Sequence, residues 1–211
     1  MKLTKYEHSC VVLEEQGKKL VIDPGGFTTE FGPLNNVVAV VVTHVHPDHF
    51  NAEHLEAIFA ENPEAPLFTT TDVAEQFQKP NVKTVQAGQA ETVGPFSLRF
   101  GGEMHALIHQ SLPCPHNTSV FVNDVFYYPG DSYTMPDKPV NVLAVPANAP
   151  WMKVADSMDY IAKVKPEQCF PTHNGLLSDR GRAVYGYGLA KACEDTGVEW
   201  KDLAPGDSIE I

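Results

Sequence analysis

Three histidines and one aspartate are concentrated in the short stretch THVHPDHF, directly after the apolar run Val37–Val42. The four side chains are His44, His46, Asp48 and His49. Imidazole favours zinc, iron, copper or nickel, and a mixture of imidazole and carboxylate leaves zinc, iron and manganese open. A solvated turn that binds metal only adventitiously is the alternative interpretation. The pattern H-x-H-x-D-H therefore predicts a metal site, in which one pair of side chains can bind one ion and the next pair a second.

Further ligand-type residues follow other predicted strands, which counts against the solvated turn. Asp23 lies in VIDPGG, Asp131 in YYPGDS and His173 in PTHNG. Two more histidines, His105 and His109, are four residues apart in GGEMHALIHQ, and at strand spacing they would point to the same face. Loops at strand ends are held by a rigid sheet and are the usual place for functional sites. We expect these side chains to converge on the histidine-rich turn.

The elements that must position these residues are mainly strands, in two groups separated by helices. Val37–Val42 is a continuous β-branched run, as expected for a strand covered on both faces. Phe50–Ala60 has apolar residues at helical spacing, Val140–Val145 is a second buried strand, and Gly181–Asp195 is the last predicted helix. This order favours sheets packed between helices over a regular βαβ alternation, so the predicted class is α/β.

Composition limits the class of protein. The 211 residues, 43% of them hydrophobic, can bury one core, and residues 1–211 are predicted to form a single domain. The start has no signal-peptide pattern and no apolar run approaches the roughly 20 residues that span a bilayer. Four scattered cysteines without a C-x-x-C pair predict reduced thiols in the cytoplasm. A net charge of −12 argues against nucleic acid. We expect a small-molecule substrate and no membrane; the oligomeric state is not predicted.

Five motifs in order resemble the metallo-β-lactamase superfamily: VIDPGG, THVHPDH, GGEMHALIH, YYPGDS and PTHNG. The opening HSCVVLEEQGKKLVIDP is also similar to the compact bacterial branch of metal-dependent hydrolases that includes ascorbate-phosphate lactonase-like proteins. The matches run through most of the chain. The resemblance implies a four-layer αββα sandwich with a two-metal site at the sheet edge.

The resemblance also implies the ligands of a first metal ion. His44, His46 and one later histidine would bind it. His105, followed by the small Ala106, lies where the family's metal histidine normally lies. We therefore predict His105 as the third ligand, and His109 as a supporting imidazole beside the metals.

The implied second metal ion would be held by Asp48, His49 and His173, and Asp131 would bridge the two ions. Asp23 is expected behind the site, where the family uses this aspartate to hydrogen-bond a ligand histidine or loop amides. Such contacts orient the ligand and determine which ring nitrogen carries the proton.

Four other residues could line a substrate pocket, although each also has a structural explanation. Trp151 lies in the loop PANAPWMK, where it could contact substrate or pack in the core. Arg180 and Arg182 follow His173 and could bind a carboxylate or phosphate, although solvating the start of a helix is the alternative. His8, in YEHSC, is at least as well explained as a partly buried structural histidine as by a role in a pocket.

The predicted chemistry is metal-assisted hydrolysis. Two ions about 3.5–4 Å apart can share a water and bring its pKa towards about 7. The resulting hydroxide would attack a small ester, lactone, amide or phosphodiester, with Asp48 orienting it and carrying its proton. Zinc is the expected metal, with manganese or iron open. One alternative is a mononuclear iron oxidoreductase resembling the sulfur dioxygenases, and another is a non-catalytic metal-binding domain. Retention of Asp48, His49 and His173 together favours two metals.

Overall fold

A computed structural model describes residues 1–29 and 34–211. Within these ranges the strands form two mixed sheets of seven strands each, with the orders β14-β1-β2-β3-β4-β5-β6 and β13-β12-β11-β10-β9-β8-β7. The first sheet contains β1 (Lys2–Lys5), β2 (Val11–Glu15), β3 (Lys18–Ile22), β4 (Val37–Val42), β5 (Leu67–Thr69), β6 (Val82–Thr84) and β14 (Ser208–Glu210). The second contains β7 (Ala90–Val93), β8 (Phe96–Gly101), β9 (Ser119–Val122), β10 (Phe126–Tyr128), β11 (Val142–Pro146), β12 (Gln168–Thr172) and β13 (Glu199–Trp200). The helices are α1 (Ala52–Glu61), α2 (Thr71–Gln76), α3 (Val154–Val164) and α4 (Asp179–Thr196).

The position of β4 between a sheet and a helix explains why its sequence is apolar at every position. Val41 points into the cluster between the sheets, where Phe126 and Phe170 of the second sheet also lie. The next side chain along the backbone, Val40, points the other way and packs with Leu55 of α1. Successive side chains of a strand face opposite sides, so a strand with a sheet on one face and a helix on the other must be apolar throughout.

The second sheet is covered in the same way. Leu143 of β11 packs with Ile161 of α3 and Leu189 of α4 in a third cluster on its outer face. With the cluster between the sheets and the one beneath α1 and α2, this gives helix, sheet, sheet and helix layers. The predicted αββα sandwich is confirmed.

The helices α1 and α4 begin at residues whose side chains cap them. The Asn51 side chain accepts the backbone N–H of His54, and α1 begins directly after Asn51. The Ser178 hydroxyl accepts the backbone N–H of Gly181, so α4 begins two residues earlier than the apolar pattern predicts. No helix in the described ranges is both long and apolar enough to cross a bilayer.

The turn after β3 packs directly against the histidine-rich turn. The Gly26 N–H donates to the Pro47 carbonyl at 2.7 Å, and the Ser9 hydroxyl donates to the Asp48 carbonyl at 2.6 Å. A Cβ atom added at Gly25 would lie only 2.0 Å from the Asp48 carbonyl oxygen. The close approach of these two backbones therefore requires glycine at this position.

We expect Gly25→Ala to displace the histidine-rich turn and to lower both stability and metal affinity. The obstructing atoms are backbone, so they cannot rotate away, and overpacking of this kind costs about 1–3 kcal/mol or more. Urea unfolding and metal titration measure the two effects.

The matched control for this substitution is Gly186→Ala on α4, where nothing lies within 4 Å of the added atom. Alanine is the better helix former by about 0.5–1 kcal/mol, so this variant should be slightly more stable than the parent. Equal unfolding curves for the two variants would contradict the role assigned to Gly25.

Candidate metal centre

The predicted ligands follow strands of both sheets. Four of them lie in the turn after β4, whereas His105 lies between β8 and β9, Asp131 follows β10 and His173 follows β12. The structure brings their ligand atoms into two clusters, and within each cluster these atoms lie within 4.8 Å of one another. One cluster contains His44, His46, His105 and Asp131; the other contains His8, Asp48, His49 and His173.

The buried carboxylate of Asp131 lies between the two clusters. Its Oδ1 is 3.2 Å from His49 Nε2, and its Oδ2 is 3.3 Å from His105 Nε2 and 3.1 Å from His173 Nε2. Burial alone would raise the pKa of Asp131, but the His49 and His173 imidazoles outweigh burial and hold it well below its usual range. Asp131 therefore carries its negative charge where atoms of both clusters meet.

Asp23 lies behind the histidine-rich turn and orients it. Its Oδ2 accepts hydrogen bonds from His49 Nδ1 at 2.6 Å and from the Thr43 hydroxyl at 2.7 Å. Thr43 donates its only hydroxyl proton to Asp23. The Thr43 hydroxyl oxygen can therefore only accept a hydrogen bond from His44 Nδ1, which lies 3.1 Å away. Both imidazoles thus donate through Nδ1, so Nε2 is the ring atom that each can offer to a metal. These contacts agree with the supporting role predicted for Asp23.

Two further ligand-type histidines are held in the same way. His105 Nδ1 lies 2.5 Å from the carbonyl oxygen of Ala106, and His173 Nδ1 lies 2.6 Å from that of Asn148. A carbonyl oxygen can only accept, so each Nδ1 is a donor. Nε2 is therefore the ring atom that His105 and His173 can offer to a metal.

Buried nitrogens without hydrogen bonds show that the side chains fit metal ions. The Nε2 atoms of His44, His49 and His173 are buried and make no hydrogen bond, although carboxylate oxygens lie nearby. Leaving such an atom unsatisfied costs about 1–3 kcal/mol. Two atoms bound to one zinc at about 2.0–2.1 Å lie roughly 3.3 Å apart in a tetrahedron, close to the separations around Asp131. The donor set fits zinc, iron or manganese.

The charge states of the histidines depend on the neighbouring carboxylates. Burial lowers the pKa of His44 well below its usual value. Burial acts the same way on His173, but the Asp131 and Asp48 carboxylates outweigh it and raise the pKa of His173 to about 9. In the absence of metal, His173 is therefore protonated at neutral pH, and a metal must displace that proton.

Trp151 packs beside these residues. Its indole N–H donates to Asp131 Oδ2 at 2.9 Å, and its ring lies 5.9 Å from that of His105 and 5.2 Å from that of Tyr133. Trp151 is half-buried, so part of this residue is open to solvent. A role in substrate binding stays a prediction.

Three other predicted residues lie outside the clusters. His109 is exposed and its Nδ1 pairs with the Ser111 hydroxyl at 2.7 Å, so its predicted supporting role finds no contact here. Strand spacing would have placed it beside His105, but this segment is an irregular loop.

Arg180 is exposed on the first turn of α4, and exposed Arg182 pairs with Asp179 at 2.6 Å. Substrate binding by the two arginines stays a prediction.

His8 is the member of the clusters that the sequence did not predict as a metal ligand, since a structural role explained it at least as well as a role in a pocket. It is 1% exposed, its Nε2 lies 3.0 Å from Asp48 Oδ2, and its ring lies 4.1 Å from that of His173. Like the other histidines it follows a strand, but that strand, β1, contains two lysines among its four residues and does not have a buried-strand pattern. A prediction of β1 would have placed His8 at the same edge.

Comparisons with known proteins agree with this geometry. The family model described as "Beta-lactamase superfamily domain" matches residues 2–173. The protein Rv0786c of Mycobacterium tuberculosis is 34% identical over 190 residues, which cover 88% of this chain and 89% of that protein. A UPF0173 metal-dependent hydrolase of Carboxydothermus hydrogenoformans is 25% identical over the whole of both chains.

A solved structure shows the same fold. The metallo-β-lactamase fold protein YhfI of Bacillus subtilis superposes with a TM-score of 0.74 at 19% identity, covering 99% of this chain and 98% of its own. The sandwich, the two clusters of ligand-type side chains and the family match agree. The chain therefore belongs to the β-lactamase superfamily, in the branch of compact metal-dependent hydrolases.

Proposed function

We propose that this protein hydrolyses a small ester, lactone, amide or phosphodiester with two divalent metal ions, zinc being the expected metal. The observation that carries the proposal is the pair of four-residue clusters that meet at Asp131. When bound, two ions would supply a hydroxide at neutral pH and positive charge for the oxygen of the scissile group. A serine or cysteine nucleophile is not needed.

The chain's own residues would orient the ligands and move the proton. Asp48 is half-buried, and its Oδ2 lies 3.0 Å from both His8 Nε2 and His173 Nε2. Burial would raise the pKa of Asp48, but contacts with His173 and His8 outweigh it and hold the carboxylate ionised. Asp48 can therefore accept a hydrogen bond from the nucleophile and carry its proton. The indole of Trp151 restrains the oxygen of Asp131 between the clusters.

Exposed apolar side chains on the same loops favour a substrate with an apolar group. Phe27 is 40% exposed, and its ring lies 5.0 Å from that of His8. Leu107, 59% exposed, lies two residues after His105, and Leu176, 63% exposed, lies three residues after His173. Apolar groups beside a polar centre commonly bind the non-reacting part of a ligand.

The alternative mononuclear iron oxidoreductase would need one cluster only. Its ligands would leave the buried nitrogens of the other cluster without a partner, among them His49 Nε2 or His44 Nε2. A non-catalytic metal-binding domain would need no proton-transfer group such as Asp48. Measuring the metal content together with the hydrolytic activity distinguishes the proposed hydrolase from both alternatives.

We expect about two first-row metal ions per chain after mild reloading, and hydrolysis of at least one class in a panel of esters, lactones, amides and phosphodiesters. Within the esters, apolar acyl groups should be preferred over acetyl. Elemental analysis and product release are the measurements. A ratio of one with only iron retained would favour the oxidoreductase, and two ions without any hydrolysis would favour the binding domain.

A further inference from the structure

His8 lies in the second cluster, but its hydrogen bonds differ from those of the ligand histidines. The Gly175 N–H donates to His8 Nδ1 at 3.1 Å. In His105 and His173 the same ring atom faces a carbonyl oxygen instead. His8 Nδ1 is therefore an acceptor, where the Nδ1 atoms of His105 and His173 are donors.

This difference determines where the proton of His8 resides. A ring nitrogen that accepts an N–H carries no proton, and an imidazole always keeps at least one. The proton of His8 is therefore on Nε2, which lies 3.0 Å from Asp48 Oδ2. His8 donates this proton to the carboxylate, so its Nε2 has no lone pair to offer a metal.

The surrounding structure holds the His8 ring in this state. A Cβ atom at Gly175 would lie 3.0 Å from Nδ1, so the loop after β12 packs tightly on the ring. The backbone of His8 is left-handed, with φ of 54°, and its carbonyl accepts the His173 N–H at 3.0 Å. A proton on Nδ1 would face the Gly175 N–H, and the hydrogen bond that this N–H makes to the buried His8 ring would be lost.

We propose that His8 is a positioning residue for Asp48 and not a metal ligand. Its Nε2–H holds Oδ2 of the carboxylate, so that Asp48 is presented in one orientation to the second metal and to the nucleophile. This inference rests on the proposed two-metal hydrolase. It assigns His8 to the class of residues that orient a ligating carboxylate by hydrogen bonding, whose loss typically costs about 10–100-fold in activity or affinity.

Two substitutions separate positioning from ligation. His8→Gln places an amide N–H near the position of Nε2, and we expect it to keep about two metal ions and turnover within several-fold of the parent. His8→Leu removes the donor, and we expect it to keep both ions at saturating metal while kcat falls about 10–100-fold with little change in KM. The control is His116→Gln, at an exposed histidine that pairs with Asp72.

The decisive measurement is the ¹⁵N shift of the His8 ring nitrogens before and after metal is added. We expect a protonated Nε2 and an unprotonated Nδ1 in both states. A metal content near one in both His8 variants, or an Nε2 that loses its proton when metal binds, would overturn the inference. If the parent protein itself binds fewer than two ions, the proposed function fails, while the ring shifts still decide the role of His8.

Discussion

Asp48→Asn should lose about 10²–10⁴-fold in turnover, even at saturating metal, because proton transfer by a placed group is typically worth that much. The substitution keeps the size of the side chain and one acceptor oxygen, so His8 Nε2–H can still donate to it. It removes the negative charge that would carry the proton and help to bind the second metal. Asp48 lies in a turn, outside the apolar clusters, so the fold should survive.

The measurement is kcat on whichever substrate the panel identifies, at several metal concentrations, with unfolding curves to confirm the fold. Asp137→Asn is the matched control, because that carboxylate is exposed and pairs only on the surface with Arg99. Near-normal turnover of the Asp48 variant at saturating metal would show that the residue neither orients the nucleophile nor takes its proton.

His105→Ala should reduce the metal content from about two ions per chain to about one and abolish most of the activity. The substitution removes a direct donor from the first cluster, and the remaining His44, His46 and Asp131 leave a position open. Elemental analysis after extensive dialysis, together with turnover, measures both losses.

His109→Ala is the matched comparison, since this histidine is also in the β8–β9 connection. Its contacts are with Ser111 on an exposed turn, so metal content and turnover should stay close to the parent values. The sequence alone predicts a partial loss for this variant. If His109→Ala removes metal and His105→Ala does not, the assignment of the two histidines is reversed.

The amino-acid sequence by itself determined the features that depend on neighbouring residues. The apolar run Val37–Val42 is a strand because each of its side chains has a partner on one face or the other. The turn that follows must present His44 to His49 together, because these residues are within six positions of one another. Asp131 and His173 also come just after predicted strands, so the sequence could place them at the same edge of the fold.

Only the tertiary structure decided the contacts between distant segments. Leu3 pairs with Ile209 across almost the whole chain, and this pairing completes the sheet whose β1 leads to His8. The role of His8 depends on the Gly175 N–H and on Asp48, residues far away in sequence, so no short sequence pattern predicts these contacts.

The two histidines of the β8–β9 connection show the same distinction. Spacing alone put His105 and His109 on one face, which holds only for a strand. The loop that forms instead turns His105 towards Asp131 and leaves His109 in solvent. A side chain's direction in an irregular loop depends on what the loop packs against, and a short sequence pattern carries no information about that partner.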